Sequence, residues 1–160
     1  AEKWARHLGG KVARLWNTYG WEYPDIRSHV VTDLVFSGLT QGRVKVMSNG
    51  KERRRFIYKT DCVDALIRLF DSPKMTTDIA GSEWVTISHL ADEIARQLDI
   101  DVERGLREAE EVMIYPIDIL PGWRQSVSLS DGIARVIADA RISLAGERTY
   151  AGRRLRHMTA

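Results

Sequence analysis

Three consecutive arginines at residues 53–55 are the residues whose type and spacing most directly suggest chemistry, and they precede the aromatic stretch FIY. A guanidinium group stays charged in a partly dry cleft, and its planar fork can donate two charge-assisted hydrogen bonds to phosphate oxygens. The cluster therefore indicates a site for an anion. Basic residues interleaved with aromatic ones suit a nucleic-acid backbone with stacked bases, and guanidinium groups also suit one small diphosphate.

The spacing of the cluster selects one of its arginines. Residues 53–58 alternate as a strand, so Arg54 lies on the side of Phe56 and Tyr58, whereas Arg53 and Arg55 face the other way. We therefore predict that Arg54 is the arginine held against the aromatic side.

The elements that must position this cluster alternate between strands and helices. Apolar runs and period-two stretches predict strands at 11–16, 43–47, 53–58, 77–81 and 112–115. Apolar residues at helical spacing and capping residues predict helices at 1–8 and 29–39, after Thr60, after Thr86 and after Ser128. Residues 17–27 read as a loop. This alternation indicates an α/β architecture.

The helix after the arginines is predicted from its cap and its large apolar residues. Thr60 and Asp61 would supply the N-cap, as Ser28 would for the helix at 29–39, which Gly42 would end. The inner face of the helix after Thr60 would consist of Val63, Leu66, Ile67 and Phe70. Cys62 adjoins this stripe, so we expect it to pack in the core rather than to act as a nucleophile.

Size and charge restrict the class of protein. The chain has 160 residues, enough for one domain with a core, and 24 basic against 22 acidic residues leave a net charge of +2. This near-neutral total argues against nucleic acid as a partner. Residues 141–160 carry five arginines against one glutamate, and they form either a solvated terminus or an arm that binds a polyanion.

Cysteine usage and hydropathy predict a cytoplasmic protein. A single cysteine cannot form an internal disulfide, so we expect a reducing compartment. No apolar run approaches the length that spans a bilayer, and the first residues lack a signal-peptide core, so no membrane association is expected. The four histidines have no ligand spacing, and no metal site is predicted.

Four motifs in a fixed order carry a resemblance to a known family. They are KVARLWNTYG, SHVVTDLVFSGLTQGRVKVMSNGKERRRFIYKTDCVDALIRLF, IAGSEWVTISHLADEIARQL and LPGWRQSVSLSDGIARVI. Together they resemble the C-terminal half of an extended short-chain dehydrogenase/reductase, and more narrowly the NAD-dependent sugar-nucleotide epimerase/dehydratase family. The resemblance covers nearly all of residues 1–140.

The resemblance implies a fold and a domain organisation. The fold is the end of a Rossmann-type sheet interwoven with a small mixed α/β substrate-binding domain. Residues 1–20 would be the tail of the dinucleotide-binding Rossmann half, residues 21–140 the nucleotide-sugar-binding domain, and residues 141–160 a basic C-terminal tail. The ligand would be a nucleoside-diphosphate sugar.

The resemblance also implies site residues. Arg54 matches the family's arginine that contacts the pyrophosphate, in agreement with the strand periodicity. Arg107 is the nearest match to a second clamping arginine, although Glu-Ala-Glu follows it where the family has Pro-Gly-Asp. Asn17 would touch the diphosphate or the sugar. Backbone near Val46 would contact the base, and Tyr58 completes the predicted substrate-binding set.

The cofactor-binding residues implied by the resemblance are Trp16 and Tyr19, with Trp16 near the nicotinamide. The family's chemistry needs a Tyr-x-x-x-Lys helix, and NAD is held on a glycine-rich turn. Neither motif is present, so no catalytic residue is assigned. We expect NAD or NADP to act in the complete enzyme, with an N-terminal Rossmann half that this chain lacks, and we expect neither cofactor to bind this chain alone.

Two functions remain open from the sequence. In the first, the chain is the substrate-binding part of such an enzyme, and a homodimer is one further expectation from the family. In the second, it is a non-catalytic module that binds nucleic acid or another polyanion through Arg53, Arg54, Arg55 and the basic tail. The base, the sugar and the type of reaction are not indicated.

Overall fold

The computed structural model describes residues 1–24, 28–109 and 115–158, with side chains described as far as residue 146. Five helices are described, namely α1 (Glu2–His7), α2 (Val30–Gln41), α3 (Lys59–Asp71), α4 (Ile87–Leu98) and α5 (Leu129–Met158). The described strands are β1 (Val12–Leu15), β2 (Thr18–Tyr19), β3 (Arg43–Ser48), β4 (Arg53–Arg54), β5 (Ile57–Tyr58), β6 (Thr76–Ile79), β7 (Val85–Thr86) and β8 (Asp101–Arg107).

The described strands form four pairs. Three pairs are parallel, β1 with β6, β2 with β5 and β3 with β8, whereas β4 and β7 are antiparallel. Parallel strands need long crossover connections, and helices or further strands lie between the members of these pairs. The α/β architecture expected from the sequence is confirmed.

The larger core lies where α2, α4 and α5 pack together beside the β3–β8 pair. Its fully buried side chains include Val35 of α2, Val44 of β3, Ile94 of α4 and Ile133 of α5, each 0% exposed. These positions recur at helical or strand spacing, so the sequence pattern alone creates one apolar face on each element.

The smaller core lies between α3 and the β1–β6 pair. It contains Ile57, Cys62, Ala65 and Ile79, of which Cys62 is 4% exposed. The prediction that Cys62 packs in the core is confirmed. Lys11 fixes the end of α3, because its Nζ donates to the backbone carbonyl of Leu69 at 2.7 Å.

The predicted inner face of α3 is wrong. All four large apolar side chains of the predicted face are exposed, with Val63 54%, Leu66 38%, Ile67 58% and Phe70 80% exposed. The buried face carries a carboxylate, two small residues and one leucine, namely Asp61, Cys62, Ala65 and Leu69. The helix packs on the smaller core through the short side chains of Cys62 and Ala65.

The predicted caps have mixed outcomes. Tyr58 precedes α3, so Thr60 and Asp61 lie inside the helix, and Asp61 instead accepts hydrogen bonds from the backbone and hydroxyl of Ser126. His29 rather than Ser28 precedes α2, and Ser28 donates to Asp33. The cap of α5 is confirmed, since the hydroxyl of Ser128 accepts from the N–H of Asp131 at 3.1 Å, as is the end of α2 at left-handed Gly42.

The strand predicted over residues 53–58 is wrong as a single element. Its first two residues pair with β7 and its last two pair with β2, so the chain changes partner at Arg55 and Phe56. The sequence reading missed β2, β7 and the whole of β8. The strand predicted at 112–115 lies mostly outside the described residues, and α5 continues without a break past residue 141.

A partly buried carboxylate joins α4 to α5. Glu93 accepts hydrogen bonds from Arg96, from Gln97 and from the hydroxyl of Ser130 at the start of α5. The hydrogen bond from Arg96 is the largest of the effects that lower the pKa of Glu93 to about 2. The two helices that frame the larger core are thus joined by a polar contact as well as by packing.

None of the described helices combines the length and apolar character needed to cross a bilayer.

Adjacent residues of α3 test which of its faces is buried. Leu69 is 4% exposed and Phe70 is 80% exposed. We expect Leu69→Ala to lower the free energy of unfolding by about 2–4 kcal/mol, because it leaves a cavity in the core. Phe70→Ala should change it by less than about 0.5 kcal/mol. Urea denaturation of both variants checks this, and a larger loss for Phe70→Ala would contradict the described face.

Candidate diphosphate site

Arg54 and Arg107 line the same pocket, although they are far apart in sequence. The pocket has a volume of about 340 Å³, and its other lining residues are Glu52, Glu108 and Ala109. Two guanidinium groups at one opening provide several N–H donors in fixed planes, which suits oxygen-rich anions with two charged groups. Of the predicted substrate-binding residues, these two are the ones that the described structure brings into one pocket.

The pairing of β3 with β8 carries Arg107 to this pocket. The two strands are in register from Arg43 to Val46, and a β-bulge then places Arg107 opposite Ser48. The N–H of Asn49 donates to the carbonyl of Arg107 at 2.9 Å and holds the end of β8 against the turn after β3. Bulges of this kind redirect the side chains that follow them.

Glycine is required at the bulge because β8 passes directly over β3. A Cβ atom on Gly105 would lie 2.3 Å from the carbonyl oxygen of Met47. This distance is far below van der Waals contact, and the atom in the way belongs to the backbone. Any side chain at this position would therefore push β8 away from β3.

Arg54 is positioned by its short pairing with β7. It lies opposite Val85, and its Nη1 donates to the carbonyl of Arg53 at 2.8 Å. The turn before it is fixed by Glu52, whose carboxylate accepts from the hydroxyl of Ser48 at 2.7 and 3.0 Å. Arg54 and Glu52, which are separated by one residue, thus both line the pocket.

The pocket carries acids as well as bases. The carboxylates of Glu52 and Glu108 balance the two guanidinium charges of Arg54 and Arg107. The carboxylate of Glu52 is engaged with Ser48, whereas Glu108 follows β8 directly. A diphosphate entering the pocket would gain the attraction of both arginines and would be repelled by at least one glutamate.

An aromatic contact is described for Arg55, whereas Arg54 was the arginine predicted to face Phe56 and Tyr58. The guanidinium carbon of Arg55 lies 5.6 Å from the ring centre of Trp84, and its Nη2 donates to the carbonyl of Ser82 at 2.6 Å. The alternation prediction failed here because the chain changes partner strand at this residue. Arg54 and Arg55 consequently line different cavities.

Asn17 lies in a separate cavity of about 540 Å³, which Gly20, Glu22, His29 and Lys59 also line. The Nδ2 atom of Asn17 donates to the carbonyl of Arg55 at 3.4 Å. Trp16 is half-buried beyond the end of β1, and its Nε1 donates to Asp78 at 3.4 Å. These two residues lie at the carboxyl end of a parallel strand, the edge at which ligands bind in open α/β sheets.

Three other predicted site residues are core residues. Val46, Tyr19 and Tyr58 are each 3% exposed. The two tyrosine rings pack edge to face, with 5.5 Å between their ring centres. Burial raises the pKa of Tyr19, and its hydroxyl lies where a Cβ of Gly132 would be. Their predicted contacts with ligands stay predictions, and a contact through the backbone of Val46 remains compatible with its buried side chain.

No cluster of three or more histidine, cysteine, aspartate or glutamate side chains suited to a metal ion occurs among the described residues.

A signal that could have found β8 was present in the sequence, because DVERGLR contains Val102 and Leu106 among charged residues. It was missed because Gly105 and the bulge break the period of two.

Comparison with known proteins identifies the relatives of this chain. The profile of the NAD dependent epimerase/dehydratase family matches residues 2–79. UDP-glucuronic acid decarboxylase 6 of Arabidopsis thaliana is 26% identical over 143 residues, which are 84% of this chain and 41% of that protein. The chain therefore spans less than half the length of this curated relative.

Solved structures share the fold. UDP-glucose 4-epimerase of Thermotoga maritima, solved with UDP-glucose, superposes with a TM-score of 0.75 at 22% identity, covering 89% of this chain and 50% of that one. UDP-glucuronic acid 4-epimerase of Bacillus cereus, in complex with UDP-glucuronic acid and NAD, has a TM-score of 0.68 at 17% identity, with coverages of 85% and 47%.

These matches support a relationship to the NAD-dependent epimerase/dehydratase family, and the superpositions show the α/β fold of the Rossmann-type enzymes in it. Nothing in them supports the alternative of a module that binds nucleic acid or another polyanion.

Gly105 tests how the pocket is assembled. We expect Gly105→Ala to destabilise the fold, because its Cβ would collide with the backbone of Met47. If Gly105→Ala still folds, the end of β8 should shift. The amide resonances of Asn49 and Arg107 should then move in NMR spectra. Gly146→Ala is the matched control, since no atom lies within 4 Å of its added Cβ. Equal behaviour of the two variants would contradict the close approach.

Proposed function

We propose that this chain is the substrate-binding part of an NAD-dependent nucleoside-diphosphate-sugar epimerase or dehydratase, and that it binds the diphosphate of the sugar nucleotide. The observation that carries the proposal is the shared pocket of Arg54 and Arg107. The family resemblance assigns a diphosphate contact to both residues, which lie on different strands and far apart in the sequence.

The pocket would act by charge and geometry. Each phosphate of a diphosphate presents acceptor oxygens that a planar guanidinium can bind through two parallel hydrogen bonds. Arg54 on β4 and Arg107 on β8 would approach the diphosphate from two different strands. Because the two strands are anchored to the same frame of α4, β3 and β7, the arginines would lose little freedom on binding.

Because this chain spans only part of the length of its relatives, the proposed roles are divided between it and the rest of the enzyme. Residues 1–20 would complete a Rossmann half supplied by the rest of the enzyme, and residues 21–140 would hold the sugar nucleotide. NAD or NADP, bound to the complete enzyme, would supply hydride transfer. Trp16 would lie near the nicotinamide, and Asn17 would contact the diphosphate or the sugar.

Two exposed features support a further packing partner for this chain. Within the described residues, β1 pairs only with β6, so its other edge offers unpaired backbone groups. Beside this pair, α3 exposes Ile67 and Phe70. Both features fit a neighbour that extends the parallel sheet and covers an apolar helix face, as a Rossmann half would.

The arginine pair gives the direct test of the proposal. We expect the 160-residue protein to bind UDP-glucose in calorimetric titrations, and Arg54→Gln and Arg107→Gln each to weaken binding at least about tenfold, since each removes charge-assisted hydrogen bonds to phosphate. Arg53→Gln is the matched control within the same cluster.

The control also separates the two functions considered from the sequence. A polyanion module would lose affinity with Arg53→Gln and would bind an RNA homopolymer with a steep dependence on salt. Equal losses for Arg53→Gln and Arg54→Gln, or no binding of UDP-glucose, TDP-glucose or GDP-mannose by the unaltered protein, would contradict the proposal.

The acids of the pocket give a second prediction with the opposite sign. Glu108→Gln removes a negative charge beside the two arginines without changing size. We expect it to tighten binding of UDP-glucose about two- to tenfold at low salt, and the gain should shrink as salt screens the repulsion. Glu103→Gln, on β8 but outside the pocket, is the control. Weaker binding by Glu108→Gln would show that this carboxylate contacts the ligand favourably.

A further inference from the structure

A second cavity, distinct from the pocket of Arg54 and Arg107, lies at the carboxyl end of β6. It has a volume of about 410 Å³ and extends from Asp78 to the segment 116–125. Apolar side chains form much of its wall, namely Pro116, Ile119, Leu120 and Trp123. Two arginines, Arg55 and Arg124, also line it. The cavity therefore combines an apolar wall with positive charge.

Arg55 is held in place with one donor left over. Its Nη2 donates to the carbonyl of Ser82, and its guanidinium lies over the ring of Trp84. Its Nε is buried and has no hydrogen-bond partner in the described structure. A buried donor without an acceptor is costly, and here it belongs to a charged group whose orientation is already fixed.

The charges of the cavity do not cancel. Asp78 is the single carboxylate among the lining residues, and it is already engaged, because the N–H groups of Ile117 and Asp118 both donate to it at 2.9 Å. The Nη1 atom of Arg14 lies 3.8 Å from the other carboxylate oxygen of Asp78. No described carboxylate forms an ion pair with Arg55 or Arg124. An incoming anion would therefore meet two uncompensated guanidinium groups.

We propose that this cavity binds a small ligand that carries a carboxylate on a compact apolar group. The carboxylate would be attracted by the guanidinium groups of Arg55 and Arg124, and the apolar part would pack on Trp123, Ile119 and Leu120. A carboxylate attached to an apolar group matches a cavity in which two guanidinium groups adjoin an apolar wall. This site is independent of the sugar-nucleotide pocket.

Benzoate, its neutral analogue benzamide and phenyl phosphate are the probes for this site. Trp123 and Trp84 provide the readout, because one lines the cavity and the other supports Arg55, so tryptophan fluorescence should change on binding. For the 160-residue protein in chloride buffer we expect saturable binding of benzoate, at least tenfold tighter than that of benzamide or phenyl phosphate. Equal affinities for benzoate and benzamide, or preference for phenyl phosphate, would overturn the proposal.

Variants then assign the binding to these residues. Arg55→Lys keeps the charge but removes Nε, and it should weaken benzoate binding at least tenfold, whereas Arg124→Gln should weaken it several-fold. Arg43→Gln, an exposed arginine paired with Glu103 on β8, is the control and should leave it unchanged. If Arg55→Lys does not fold, Arg124→Gln decides, because Arg124 is exposed and makes no described contact that folding needs. Unchanged benzoate binding in Arg124→Gln would then overturn the proposal. Sugar-nucleotide affinity plays no part in these measurements.

Discussion

The close pairing of β8 on β3 is the constraint on which the candidate site depends. The backbone of Gly105 approaches the carbonyl of Met47 so closely that no side chain fits between them. This contact creates the bulge, and the bulge turns Arg107 towards the pocket that Arg54 lines from β4. One glycine therefore determines whether two arginines from distant segments line a single pocket. The cost is a strand with little apolar burial of its own, which the larger core beneath β3 must support.

The adjacent residues Arg54 and Arg55 show how a change of partner strand places neighbouring arginines in two different cavities. Had residues 53–58 formed one strand, alternation alone would have sent these side chains to opposite faces of a single sheet. Because β4 pairs with β7 and β5 pairs with β2, each arginine instead belongs to its own environment. Arg54 meets glutamates and a second arginine, whereas Arg55 meets an aromatic ring and an apolar wall. The two cavities therefore differ in their balance of charged and apolar lining residues.

Much of the fold could be predicted from the sequence where one periodicity dominates. The helices α2 and α4 and the strand β3 were found because their apolar residues repeat at 3.6 or 2 positions and because Gly42 and Thr86 mark a helix end and a helix start. The parts that were missed share a physical cause. β8 is interrupted by Gly105, and β2, β4, β5 and β7 are two residues long, too short for a period to appear. For the candidate site, the sequence nominated Arg54 and Arg107, but only the fold shows that they share a pocket.

The reversed face of α3 is the error with the largest consequence. Apolarity alone selected Val63, Ile67 and Phe70 as the buried side, and such a choice is sound for a helix whose surroundings are complete. The helix instead buries Cys62, Ala65 and Asp61, of which Asp61 is fixed by the N–H groups of Ser126 and Val127. Both sides of α3 are therefore suited to contact, one by short side chains and a satisfied carboxylate, the other by large apolar residues. A helix with two such sides lies naturally between two layers, and the described residues provide only one of them.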